Sequence, residues 1–336
     1  MKAIVSSSYG PAESMQVKEV ANPVPSENEL LVRNRASVVT AAMCEARAGS
    51  PMARLYFGLR KPKWPILGTN FSGEVQAVGS SVTNFRVGDL VAGVSVTNFG
   101  AYAEYIVVSE DGVVAPKPSN LSDEEAVAVF DGSITALPFL RDAAKLLPGQ
   151  SVLINGASGA VGTAAIQLAK HYGATVTAVC SGANQALVAS LGADHVVDYA
   201  IEDFTDNHDS YDVIFDAVAR SSFLRSRRAL KQGGMYLTTG PSLAILLQML
   251  WTSKMGRKKA AVVFTGLAKP AQMWRNLVFI GELAEAGSFL PVIGSTQSME
   301  DGAHAHRQVE TGHKRGSAVI TIAAESVRAI EREETL

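Results

Sequence analysis

The sequence predicts an α/β protein in which a doubly wound parallel sheet is inserted into a mostly-β domain. Three observations carry that expectation. From Gln150 onward, short β-rich runs alternate with helical patterns, as repeated strand–helix–strand units do. A glycine-rich turn, GASGAVG at Gly156–Gly162, stands between the first such strand and its helix. Before Leu121 short β-rich runs are punctuated by turn residues, and this texture returns after Lys269-Pro270. The β-rich domain is therefore expected to be discontinuous, over 1–124 and 267–336, with the inserted domain over 125–266.

In the first domain, Leu30–Arg35, Gly73–Val78, Asp89–Val94 and Tyr102–Val108 read as strands, separated by turns such as Val87-Gly88-Asp89 and Asp111-Gly112. Ser122 before Asp123, Glu124 and Glu125 predicts a helix start, with an N-cap serine and acids in the first turn. Ser151–Asn155 is the next strand. Ala160–His171 follows as a helix with Val161, Ala164, Ala165 and Leu168 on one face. Thr175–Ser181 and Asn184–Leu191 repeat the unit. Strands at His195–Asp198, Asp212–Asp216, Met235–Thr239 and Ala261–Phe264 complete six, with a helix Phe223–Leu230 ended by Gly233-Gly234. A helix Met273–Ala286 and a strand Ala318–Ala323 return to the first domain.

Composition narrows the function. The 336 residues are 47% apolar and 18% charged, with 30 basic against 32 acidic residues and a net charge of −2. Disorder is excluded, and the overall charge advertises neither nucleic acid nor an anionic membrane. Two cysteines, Cys44 and Cys180, make neither a disulfide framework nor a four-cysteine zinc site. The opening MKAIVSSSYGPAESM lacks a signal-peptide core, so a cytoplasmic protein is expected.

The glycine turn points to a dinucleotide. A tight strand-to-helix turn needs glycine's backbone freedom, and a pyrophosphate must approach the backbone where no Cβ intervenes. The amides and positive end of the following helix then hold the phosphates. As a bare pattern G-x-x-G-x-x-G is weak; its place between strand and helix supplies the specificity. An NAD-selective fold puts Asp or Glu about 20 residues further on, but that strand ends Val179-Cys180-Ser181. NADPH is expected, with NADH also open, and Ser181 is positioned to bond the 2′-phosphate. No Lys or Arg lies in Gly182–Asp194, so a cation must come from elsewhere, with Lys314 and Arg315 as candidates.

Further stretches carry a family resemblance over nearly the whole chain. They are LGTNFSGEVQAVGSSVTNFRVGDLV (Leu67–Val91), GAYAEYIVV (Gly100–Val108), SVLINGASGAVGTAAIQLAKHYGATVTAVCS (Ser151–Ser181), LGADHVVDY (Leu191–Tyr199), YDVIFDAV (Tyr211–Val218) and ETGHKRGSAVI (Glu310–Ile320). In this order they resemble the medium-chain dehydrogenase/reductase superfamily, in its zinc-free quinone oxidoreductase branch. The resemblance implies a GroES-like catalytic domain around a Rossmann domain, an active site in the cleft between them, and a homodimer. It further implies that Ser158, Gly159, Ala160 and Val161, within the turn Gly156–Gly162, cradle the pyrophosphate. Ser181 and Tyr199 would lie near the adenosine phosphate, Gly240 beside the nicotinamide, and Arg315 would approach from the C-terminal segment. Tyr199 reads equally as a ring capping the sheet edge.

The zinc-dependent relatives carry an early Cys and a Gly-His-Glu segment where this chain reads Val39-Thr40-Ala41 and Gly68-Thr69-Asn70. No zinc is expected, because the thiolate and imidazole that would hold it are missing. The zinc-free branch's own Asn-Pro-x-Asp and Gly-x-Asp-Phe read Thr40-Ala41-Ala42-Met43 and Gly68-Thr69-Asn70-Phe71. Two carboxylates are thereby replaced, and Met43, Tyr56 and Asn70 are expected to line an apolar substrate cleft. Asn70 is the candidate hydrogen-bond donor to the substrate oxygen. Tyr56 falls in an expected loop over 54–65, where packing against that loop competes with a catalytic role. His304 and His306 read as structural or solvated, His313 as a positional candidate only, and both cysteines as buried fillers. No general acid is assigned.

The segment 242–265 runs from LAILLQMLW to Lys254, Arg257, Lys258 and Lys259. An amphipathic membrane-surface patch is one reading; a lid or a dimer contact is favoured over it. The function expected is NADPH-dependent reduction of quinones or related α,β-unsaturated carbonyls. An enoyl-thioester reductase and a non-catalytic NADPH-binding protein are the alternatives.

Overall fold

The computed structural model describes residues 1–255 and 257–322; Ala323 of the last expected strand, and the rest of 323–336, lie outside them. The chain divides into two units. One is Met1–Asp131 with the described residues from Lys269 onward; the other is Gly132–Ala268.

The first unit opens with the antiparallel pair β1 (Lys2–Val5) and β2 (Gln16–Glu19). β3 (Glu29–Val39) alternates up to Ala36, burying Leu30, Val32 and Asn34 as a half-covered strand must, and is buried on both faces from Ala36 to Val39. Helix α1 (Ala41–Ala48) is capped by Thr40, whose side chain accepts from Met43 N, and ends at Gly49 with φ 69°. Helix α2 (Pro51–Phe57) starts at Ser50-Pro51, with the Ser50 side chain accepting from Ala53 N. An N-cap serine and a proline at the first position override the loop expected around Tyr56. Strands β4 (Asn70–Val78), β5 (Leu90–Val94), β6 (Tyr105–Ser109) and β7 (Val114–Pro116) follow.

Helix α3 (Asp123–Leu137) begins where expected, and the division between units falls inside it. Ser122 Oγ accepts from Glu125 N, and the Glu125 carboxylate accepts from Ser122 N, a reciprocal capping box.

The second unit runs β8 (Ser151–Asn155), α4 (Ala160–His171), β9 (Thr175–Cys180), α5 (Gln185–Ser190), β10 (His195–Asp198), β11 (Tyr211–Asp216), α6 (Phe223–Ser226), β12 (Leu230–Thr238), α7 (Leu243–Met255) and β13 (Lys259–Val262). The six strands are parallel, in the order β10-β9-β8-β11-β12-β13. That is the doubly wound order whose direction reverses between the first and fourth strands, opening a ligand crevice at their carboxyl ends. The expected helix Phe223–Leu230 is cut to one turn because Ala229 and Leu230 are buried in the sheet core. Gly233-Gly234 do not end a helix; they sit in β12, whose pairing with β11 shifts register there.

The chain then returns to the first unit with α8 (Pro270–Glu285), β14 (Ile293–Ser298), α9 (Gly302–Glu310) and β15 (Ser317–Thr321). Its main sheet is ordered β14-β15-β3-β4-β5-β7, with β6 also on β3. Among the described residues no helix is long and apolar enough to cross a membrane.

Candidate functional site

The glycine turn lies at the carboxyl end of β8, beside the point where the strand order reverses. Gly156 has φ +77°, and a Cβ there would lie 2.7 Å from Val218 Cγ2. Gly162 faces the Gly156 carbonyl and Ala157 Cα so closely that a Cβ would come within 2.6 Å of the latter. Gly159 differs: it is the N-cap of α4 in extended conformation, and a Cβ would meet only Gly156 O, at 3.7 Å. Two glycines therefore hold the turn together, while the third leaves space in front of it. The first amides of α4, at Ala160, Val161 and Gly162, have no intrahelical acceptor. With the dipole's positive end they suit an anion. Ser158, Val161 and Gly159 are half-buried, whereas Ala160 and Gly162 are packed inside.

A residue that sequence reasoning passed over ties this turn to the next strand. Asn184 Nδ2 donates to Ser158 Oγ at 3.0 Å and to Ser181 Oγ at 3.2 Å. Its Oδ1 is buried without a partner, a polar atom left free in the crevice wall. Beyond Ser181, a Cβ on Gly182 would lie 2.6 Å from Asp198 Oδ2. The acid missing from the end of β9 is thus supplied nearby by β10, where Asp198 pairs in register with Cys180. Tyr199 is exposed and its N–H donates to Cys180 O, which leaves its ring beside the same strand end.

At the ends of β11 and β12, Asp216 is buried and accepts from Asn155 Nδ2, Arg220 N, Ser221 N and Tyr236 Oη, at 2.7–3.3 Å. Burial, and then Asp216, push the Tyr236 phenol well above its ordinary range. This carboxylate locks the strand ends on both sides of the reversal point. Gly240 follows β12, donating its N–H to Thr238 Oγ1, and a Cβ on it would strike Ala219 Cβ.

The remaining candidates belong to the first unit. Asn70 starts β4 and is 4% exposed; its Oδ1 accepts from Thr69 Oγ1 at 2.8 Å, and its Nδ2 is buried with no acceptor. Met43 is 3% exposed, in a core cluster with Phe57, Leu67 and Phe99. Tyr56 is 53% exposed; it stacks on Trp64, with ring centres 5.7 Å apart, and meets Phe57 and Phe99 edge-on. Arg315 is exposed just before β15. His306 is fully buried: Arg47 Nε donates to its Nδ1 at 3.4 Å, and Cys44 Sγ lies 3.4 Å from the same nitrogen. Burial, and then the Arg47 charge, hold His306 down to about 3. Arg47 is itself held by Gly10 O and by Glu310. The exposed His304 and His313 take no part in this cluster.

Residues 26–119 match the alcohol dehydrogenase GroES-like domain family, and residues 191–320 the zinc-binding dehydrogenase family. The human mitochondrial NAD(P)H oxidoreductase RTN4IP1 is 31% identical, over 88% of this chain and 82% of its own length. The tomato (Solanum lycopersicum) 2-methylene-furan-3-one reductase is 30% identical, over 95% of this chain and 79% of its own. The quinone oxidoreductase of Coxiella burnetii superposes with a TM-score of 0.86 at 28% identity, over 96% of this chain and 99% of that one. The chain belongs to the medium-chain dehydrogenase/reductase superfamily, quinone oxidoreductase branch. It is an oxidoreductase that works with a nicotinamide cofactor, and the crevice of the second unit fits one. The unpartnered Asn184 oxygen and the open face of Gly159 suit contact with such a group.

Because one matched family is named for zinc, the donors at the corresponding positions matter. In this superfamily member Thr40 Oγ1 is spent on capping α1, and Thr69 Oγ1 on Asn70. Burial, and then Glu310, push the Cys44 thiol up to about 12, so it stays protonated. Among the described residues no cluster of three or more His, Cys, Asp or Glu could hold a metal ion. Neutral hydroxyls, an amide and a protonated thiol do not make a zinc site, which takes thiolate, imidazole or carboxylate ligands.

Proposed function

We propose that this oxidoreductase is a zinc-free reductase that uses NADPH to reduce quinones or related α,β-unsaturated carbonyl compounds. The observation that carries the reading is Asn70: a buried side-chain N–H without an acceptor, next to Thr69, which stands where the zinc-dependent relatives have their histidine. A conjugated carbonyl is already electrophilic, and charge develops on its oxygen as it is reduced. A fixed donor aimed at that oxygen stabilises the developing charge. Asn70 is assigned this role, and the exposed Tyr56 ring supplies apolar surface for the substrate, whereas Met43, expected to line the cleft, is packed into the core with Phe57, Leu67 and Phe99. The inserted unit is assigned to the cofactor and the discontinuous unit to the substrate.

When bound, the reduced nicotinamide supplies the hydride. The amides of Ala160, Val161 and Gly162 and the Ser158 hydroxyl bind the pyrophosphate, with Gly159 keeping the approach open. Ser181, oriented by Asn184, takes the adenosine 2′-phosphate. Tyr199 borders the adenosine and Gly240 the nicotinamide, with Arg315 as the cation for the phosphate.

The test is loss of reduced-nicotinamide absorbance with purified protein against a panel of benzoquinones, enals and enoyl thioesters. Turnover with quinones or enals supports the reading. Turnover confined to enoyl thioesters redirects it to the acyl-thioester class. Firm NADPH binding with no turnover on any of them overturns it in favour of a binding protein.

A further inference from the structure

The near-zero net charge conceals a strong segregation. Between Asp216 and Glu282 there is no acidic residue, while the same stretch, Ala217 to Gly281, carries eleven Lys and Arg. The rest of the chain balances it with an excess of acids. Some of these cations are answered from outside the stretch: Arg225 by Asp203, Lys231 by Asp212 and Lys258 by Asp209. Arg227, Arg228, Lys254 and Arg257 have no carboxylate partner among the described residues.

Lys254 lies in the last turn of α7 and the three arginines gather at its carboxyl end; the helix itself is apolar on both sides. One side is anchored. Ile245 and Thr252 are buried, Thr252 Oγ1 accepts from Ala260 N, and Met249 Sδ accepts from Val262 N. The other side is a continuous stripe at helical spacing, Leu243, Leu246, Leu247, Leu250 and Trp251, all exposed, with Leu243 at 73% and Leu250 at 66%. A soluble helix turns its polar face outward; this one presents leucine and tryptophan. At its carboxyl end lies a groove of about 710 Å³ whose lining mixes apolar Leu224 and Trp251 with the cations Arg227, Arg228, Arg257 and Lys258. The Arg227 guanidinium sits over the Trp251 ring at 5.9 Å.

We propose that α7 and this groove dock the protein on an anionic phospholipid surface. The leucine stripe lies among the acyl chains, Trp251 at the interface, and the four cations against lipid phosphates. Apolar residues with flanking Lys and Arg and an interfacial Trp are what such a surface requires. Charge complementarity selects this occupant over a second copy of the chain. An antiparallel pairing of two α7 helices would set each cationic end against the positive dipole end of its partner, and α7 has no carboxylate to compensate.

The experiment is co-sedimentation of the full chain with vesicles of phosphatidylcholine alone, and of phosphatidylcholine containing one third phosphatidylglycerol. The protein is expected to pellet with the anionic vesicles only, and to be released at high salt. Leu250→Glu should abolish binding. Arg227→Gln with Arg257→Gln should weaken it roughly thirtyfold, since each cation near such a surface is worth about a factor of five. Leu250 is exposed, so its variant keeps its circular dichroism spectrum and nucleotide affinity, which separates docking from misfolding. Failure of the wild type to bind anionic vesicles at low salt overturns the proposal. So does unchanged binding by Leu250→Glu. A wild-type dimer that Leu250→Glu converts to monomer, without vesicle binding, assigns the stripe to a second copy instead and also overturns it.

Discussion

The glycine turn can be tested by two methyl groups with opposite expectations. In Gly162→Ala the new Cβ would press on the Gly156 carbonyl and come within 2.6 Å of Ala157 Cα, closer than carbon atoms pack. Both neighbours are backbone, so relief requires α4 to move away from the turn. Overpacking of this kind costs typically 1–3 kcal/mol, more than the roughly 1 kcal/mol that alanine gains over glycine in a helix. In Gly159→Ala the Cβ meets only Gly156 O at 3.7 Å and the backbone is extended, with φ −79°, so the fold accepts it. The methyl instead occupies the approach to the α4 amides. Differential scanning calorimetry with nucleotide titration reads both quantities. With both clashes against backbone the cost lies at the upper end, a net of about 2 kcal/mol, and Gly162→Ala should lower Tm by roughly 4–8 °C. Gly159→Ala should keep the wild-type Tm while NADPH affinity falls about ten- to a hundredfold. Wild-type NADPH affinity in Gly159→Ala refutes the assignment of this turn to the pyrophosphate, whatever Gly162→Ala does to stability.

Three further outcomes follow from side chains around the two sites. Ser181→Asp should shift preference toward NADH and Asp198→Asn toward NADPH, each by about fivefold or more in the ratio of kcat/KM values; unchanged ratios would show that neither side chain meets the 2′-position. Asn70→Ala should lower kcat about a hundredfold with quinone or enal and leave nucleotide Kd unchanged, so an undiminished kcat would remove Asn70 from the chemistry. His306 sets a pH dependence: it is neutral when folded, with its pKa near 3, but takes a proton below about 6.5 when unfolded. The unfolded state then binds more protons, so stability falls as pH drops from about 6.5 toward 3, by about 1.4 kcal/mol per pH unit. Urea unfolding between these limits should show that slope in the wild type and a shallower one in His306→Asn.

The fold was legible because each unit repeats a local rule. Val152–Ile154 and Val176–Cys180 are buried runs between turns, and the glycine turn stands where a doubly wound sheet reverses. What escaped were residues whose role depends on neighbours distant in sequence. Asn184 matters because it reaches Ser158, 26 residues earlier, and an isolated asparagine after a strand carries no pattern. Asp198 was invisible as an acid near the end of β9 because parallel pairing, rather than sequence spacing, sets it beside Cys180 and Gly182. The helix expected to reach Leu230 stopped early for a similar reason: tertiary burial of Ala229 and Leu230 outweighed helical propensity. Tyr56 lies on a helix rather than in a loop because Ser50-Pro51 spells a helix start just upstream.

The charge pattern was present in the sequence but averaging hid it, since a net −2 says nothing about where the charges lie. Folding turns a run along the chain into a place on the sheet. In a parallel sheet the connections return the chain to the amino ends of the strands, so residues just before a strand collect on the edge opposite its carboxyl end. Arg227 and Arg228 precede β12, and Arg257 and Lys258 precede β13. Gly156, Ser181 and Gly240 follow β8, β9 and β12. The cofactor crevice and the basic groove therefore lie at opposite edges of one sheet, with α7 running back between them. A protein built this way can engage a lipid surface at one edge without occluding the nucleotide at the other. For that reason Leu250→Glu should remove vesicle binding and leave nucleotide affinity untouched, whereas Gly159→Ala should do the reverse.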